Sequence, residues 1–67
     1  MKIKEIRDMS EEQLAQESRE LRRALFNLRL QRAIGQLEKP HKLGDTRRSL
    51  ARVLTVMRQR EAAKETR

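Results

Sequence analysis

Gly35-Gln36-Leu37-Glu38-Lys39-Pro40 is the stretch that breaks the helical patterning of this chain, and the sequence on either side of it decides the fold. Upstream, Leu14, Leu21, Leu25 and Leu28 recur at spacings of 7, 4 and 3, which puts them on one face of a helix, and no breaker intervenes before Ile34. Ser10 is a good N-cap, Gln13 three residues later completes a capping box, and Glu11 and Glu12 meet the positive end of the helix dipole. Met9 and Leu14 are spaced to form a hydrophobic staple over that start, and Gly35 is the expected C-terminal stop.

Downstream, Leu43, Leu50, Val53, Leu54 and Met57 repeat at 7, 3, 1 and 3, a second helical stripe. Pro40 suits a first helical position, where its missing N–H would have no partner anyway, although Lys39 before it is a poor cap. Gly44 weakens that first turn by ~1 kcal/mol relative to Ala, so a start at Pro40 and a start with Asp45 as N-cap both stand. The polar segment Glu61 to Arg67 is expected to fray. Ile3 and Ile6, three residues apart, predict a short helical turn folded back on the pair.

A connection of about five residues between two striped helices forces them antiparallel. The expected fold is therefore all-α: an antiparallel two-helix hairpin with a short N-terminal helical turn, forming one domain over residues 1–67. Its helices are expected at about 3–8, about 11–34 and about 40–63. The Leu14, Leu21, Leu28 ladder should meet Met57, Leu50 and Leu43 in reverse order, in a rod whose helices are each ~35 Å long.

Leu, Ile, Val and Phe make up fifteen of 67 residues, just above the ~20% level below which a highly charged chain is expected to be disordered. A domain this small has a marginal core and is expected to borrow stability from a partner. The chain has no cysteine, which removes any thiolate metal site or pointer to an oxidising compartment. Its start lacks the apolar run of a signal peptide, and no stretch approaches the ~18 apolar residues of a membrane span. A cytoplasmic protein is expected.

Charge is distributed unevenly. Between Arg22 and Arg60 stand eleven Lys or Arg against Glu38 and Asp45, a local +9 that exceeds the +7 of the whole chain. Such a density points to a polyanion, which gains affinity by releasing condensed counterions. Arg22 and Arg29 lie one heptad apart, with Arg23 on the outer face, and Arg47, Arg48 and Arg52 repeat the arrangement on the second helix. Acidic partners at i±4 are scarce beyond Glu20, so intrahelical ion pairs are not expected to absorb these cations. Arg outnumbers Lys by twelve to five, which favours bidentate phosphate recognition. Phe26 is the only aromatic, so no stacking platform is on offer and recognition should rest on backbone and shape.

Phe26, Leu30 and Ala33 form a second apolar strip well away from the leucine face, to be read either as part of a wide core under the N-terminal turn or as a docking surface. His41 has no metal set or nucleophile near it and reads as a solvated or phosphate-facing loop residue. The serines and threonines are explained by capping and helix surface. No catalytic constellation, cofactor site or small-molecule site is expected.

The run Leu21-Arg22-Arg23-Ala24-Leu25-Phe26-Asn27-Leu28-Arg29, then Gly35-Gln36-Leu37-Glu38, Pro40, Arg47-Arg48-Ser49-Leu50-Ala51-Arg52 and Thr55-Val56-Met57-Arg58, resembles the bacterial form of large ribosomal subunit protein family twenty-nine. The likeness covers nearly the whole chain. It implies a helical hairpin bound to 23S ribosomal RNA at the rim of the polypeptide exit tunnel, beside ribosomal protein number 23 of the large subunit and near where chaperone and targeting factors dock. It carries RNA contact onto Arg29, Gln31, Gln36, Arg47, Arg48 and Arg52, to which the charge reading adds Arg22, Lys39, His41 and Lys42. Phe26 and Leu30 are the candidates for a protein neighbour. Where the family usually has Asn before the loop proline this chain has Lys39, which is expected to exchange the cap for a phosphate contact, and Gly44 replaces an Arg-like residue. The alternative reading is a helical interaction protein whose stripes pair into a homodimeric four-helix bundle.

Overall fold

The computed structural model describes residues 2–65. Three helices follow one another: α1 (Ile3–Arg7), α2 (Glu11–Ala33) and α3 (His41–Glu65). Among the described residues every regular element is helical. α2 and α3 pack along their lengths, and the short α1 lies against α3, giving a rod of 49 × 18 × 16 Å. The long helices are antiparallel, because Lys64 near the end of α3 bonds Glu11 at the start of α2. The expected all-α hairpin with a short N-terminal helical turn is the fold observed.

Both ends of α2 are closed by side chains and backbone that the sequence supplies locally. Ser10 Oγ accepts from the Gln13 N–H at 3.1 Å, and Gln13 Oε1 accepts from the Ser10 N–H at 2.9 Å, so the capping box is complete. At the other end Gly35 adopts φ +74°, a conformation costly for any residue with a Cβ. That turn lets the Gln36 N–H donate to the Gln31 carbonyl at 2.8 Å and the Gly35 N–H donate to the Arg32 carbonyl at 3.1 Å. The pair of bonds is a Schellman closure and ends the helix cleanly. The break ends at Pro40. Lys42 N–H donates to the Lys39 carbonyl and Leu43 N–H to that of Pro40, so α3 winds up from the proline, with Asp45 already inside the helix.

The core is not the even ladder that the leucine spacing predicts. Its centre is a cluster of Ile6, Leu14, Val53 and Val56, with Met9, Leu21 and Met57 packed against it. Leu25 and Leu43 are buried further toward the loop, while Leu28, Leu50 and Leu54 are only half-buried. The reason is α1. By inserting Ile6, it covers a second face of α3 and draws in Val56, which lies off the expected stripe. Ser18 is also buried on the core side of α2, its hydroxyl satisfied by the Ala15 carbonyl at 2.8 Å.

The polar end of α3, expected to fray from Glu61, stays helical to Glu65, while Thr66 and Arg67 lie outside the described residues. Two contacts between sequence-distant residues account for this. Arg60 Nη2 donates to the Arg7 carbonyl at 2.8 Å, and the Lys64 ammonium pairs with the Glu11 carboxylate. The hydrogen bond from Lys64, then its charge, then the charge of Arg60 hold the Glu11 carboxyl below its ordinary value.

Replacing Ile6 with Ala should cost about 2–5 kcal/mol, since it empties a fully buried site, whereas Ile3→Ala, at a residue 42% exposed, should cost much less. Thermal melts followed by circular dichroism would show equal shifts for the two variants if α1 were not docked. Because the folded-state pKa of Glu11 is depressed, its contribution is complete above the ordinary carboxylate pKa and disappears as pH falls through the lowered one. The Tm advantage of wild type over Glu11→Gln should accordingly be constant near neutrality and shrink on acidification; a pH-independent difference would dissociate it from the ion pair.

Candidate nucleic-acid interface

All ten polar candidates, Arg22, Arg29, Gln31, Gln36, Lys39, His41, Lys42, Arg47, Arg48 and Arg52, are exposed. The fold collects eight of them in three places, while His41 opens α3 and Arg52 stands further along it. Gln31, Gln36, Lys39 and Lys42 surround an open depression at the loop, together with Leu28, Leu37 and Glu38. Arg47 and Arg48 flank a shallow recess whose floor is Gly44 and Ala51, small residues that let a bulky backbone come close. Arg22 and Arg29 stand on α2, ~10 Å apart along its axis.

Packing at the terminal end settles which cations remain available. Arg60 closes the basic stretch in sequence, yet it is half-buried and spends its guanidinium on the Arg7 carbonyl. Arg48 is paired with Asp45 one turn earlier, contrary to the expectation that intrahelical partners would not absorb these arginines. The exception arises because a partner at i−3 serves as well as one at i−4. Both side chains are largely exposed, so the pair contributes little to stability and yields readily to a phosphate. A methyl group at Gly44 would sit 3.4 Å from Arg48 Nη1, which places this guanidinium over the recess floor.

The second apolar strip is not buried under the N-terminal turn, because α1 packs against α3. Phe26 is 64% exposed and Leu30 51%, and Ile34, 61% exposed, extends them at i+4. The spacing Phe26, Leu30, Ile34 was visible in the sequence as a straight ridge; Ala33 is a lesser part of it. Also missed were Leu28, Leu37 and Glu38, the remaining walls of the loop depression. For Glu38 the signal available was its rarity, one of two acids among eleven cations.

The sequence profile described as Ribosomal L29 protein matches residues 4–60, a span that holds all of these positions. The chain belongs to the ribosomal L29 family. Among its relatives, the large ribosomal subunit protein uL29 of Caldanaerobacter subterraneus subsp. tengcongensis is 51% identical over 61 residues, covering 91% of this chain and 92% of that protein. The uL29 proteins of Acetivibrio thermocellus and Persephonella marina are 52% identical over 61 residues and 44% identical over 64, covering 91% and 96% of this chain and 91% and 94% of theirs. The ribosomal L29 family comprises structural ribosomal proteins and not enzymes.

If phosphates approach the Arg47 and Arg48 recess in this L29-family chain, Asp45→Asn both removes a repelling charge and releases Arg48. RNA affinity should rise severalfold at ~50 mM salt, with the gain fading as salt increases. Equal affinities of variant and wild type in a fluorescence-anisotropy titration would move the phosphate contact away from this turn.

Proposed function

We propose that this chain acts as a structural constituent of the large ribosomal subunit, in the cytoplasmic ribosome, by binding 23S rRNA near the polypeptide exit tunnel. The observation that carries the reading is the +9 stretch from Arg22 to Arg60, presented by a hairpin whose ten candidate contact residues are all exposed. Arginine forks on α3 take phosphate oxygens in pairs, and the loop lysines add point charges beside them. Anchored to RNA segments that meet at the hairpin, the rod fixes their relative placement. No bond is made or broken.

The ridge of Phe26, Leu30 and Ile34 supports a contact with a neighbouring protein, for which ribosomal protein number 23 of the large subunit is the proposed occupant. Chaperone or targeting factors at the tunnel exit are further proposed partners of the assembled particle. The same ridge favours the second reading, a homodimeric four-helix bundle that would bury it; light scattering at ~100 μM protein separates the two, since the ribosomal reading expects a monomer.

The deciding measurement is binding to the 5′ domain of 23S rRNA and to an unrelated structured RNA of equal length, across roughly 50–300 mM salt. A preference for the 23S fragment that survives rising salt supports the reading, and loss of both complexes together would defeat it. Replacing Arg47 and Arg48 jointly by Ala should lower the salt slope by up to about 2, at ~0.9 per duplex phosphate contact. An unchanged slope would rule both residues out as phosphate contacts.

A further inference from the structure

The loop depression contains a residue that phosphate binding does not explain. It is lined by the half-buried Leu28 and Leu37 and by the exposed Gln31, Gln36, Glu38, Lys39 and Lys42. It is an open depression of about 420 Å³. Of the two acids in the basic stretch, Asp45 is neutralised by Arg48, whereas no described residue donates a hydrogen bond or an ion pair to Glu38. A lone carboxylate on a surface facing RNA repels phosphates. It becomes favourable only when it accepts from donors, and the paired donors that RNA offers lie on base edges.

We propose that this depression holds one unpaired guanine of the bound RNA. Guanine alone among the four bases presents two adjacent donors, N1–H and N2–H, on its Watson–Crick edge, with the O6 acceptor beside them. A carboxylate accepts both donors, and the N–H₂ of Gln31 or Gln36 donates to O6. Adenine, cytosine and uracil each set an acceptor against at least one carboxylate oxygen. Leu28 and Leu37 supply apolar contact to the ring faces in a protein that has no aromatic residue here, and Lys39 and Lys42 hold the phosphates on either side of the extruded nucleotide. Arg47 and Arg48 would then position the protein while the loop reads a base. The inference rests on the RNA-binding reading above and adds sequence recognition to it.

Kethoxal reacts at N1 and N2 of unpaired guanine, the two atoms assigned to Glu38. The test is to form the complex of the full chain with 23S rRNA, map guanines with kethoxal, and map the backbone in parallel with hydroxyl radicals. The expected result is one guanine shielded by the wild-type protein and at least about fivefold more reactive with Glu38→Gln and with Glu38→Ala, the backbone footprint being retained in both. A backbone footprint with no shielded guanine, or with one shielded equally by the variants, overturns the proposal and leaves RNA binding intact. If Glu38 only repels phosphate, both variants bind more tightly and guanine reactivity does not change. Absence of any backbone footprint would remove the RNA-binding reading and this inference together.

Discussion

Ile6 is the contact on which the architecture depends. Two helices packed face to face on leucine stripes make a thin layer with both flanks open to water, and a chain of this size has no second layer to add. Inserting one fully buried side chain from a five-residue helix changes that geometry, because Val53 and Val56 then face apolar atoms on two sides. Leu14 closes the cluster from α2, and its placement follows from the capping box that sets where that helix begins. Local capping thus fixes where α2 begins, and with it the position of Leu14 in the cluster with Ile6, Val53 and Val56. The terminal end becomes a small three-helix core, while the remainder stays a simple pair.

The charge pattern follows the same division. Acidic residues are concentrated before Arg22, and there they meet the last turns of α3, where Glu11 engages Lys64 and the α1 carbonyl of Arg7 engages Arg60. Arg60 and Lys64 at that end hold the hairpin shut. At the loop end acids are scarce and cations stay on the surface. The chain therefore has a self-complementary end and an end that is complementary to something else.

Much of this could be read from residue spacing. The two stripes, the capping box at Ser10, the glycine stop and the proline start are local signals, and each acts within a few residues of where it is written. What spacing did not reveal depended on α1. A five-residue amphipathic segment carries too little periodicity to say which helix it will cover, and that choice determined whether Val56 was buried and whether Phe26 stayed exposed. The Arg60 and Lys64 contacts were hidden for a related reason, since both bridge residues 53 positions apart. The basic candidates were legible from composition. Glu38 was not, because a net-charge count treats a carboxylate as a subtraction, whatever surrounds it.

The separation of a dense core from a bare pair has a consequence for how the rod moves. Opening free energies within a protein follow local burial, so the terminal end, holding Ile6, Leu14, Val53 and Val56, is the stiff end. Toward the loop only Leu25 and Leu43 are buried, and the helices there are held mainly by their own backbone bonds and the Gly35 closure. The hairpin is thus stiff at its terminal end and more compliant toward the covalent turn. Small twists of the helix pair near the loop leave the terminal core intact, which lets a rigid partner impose its contour on the very segment that carries the charge.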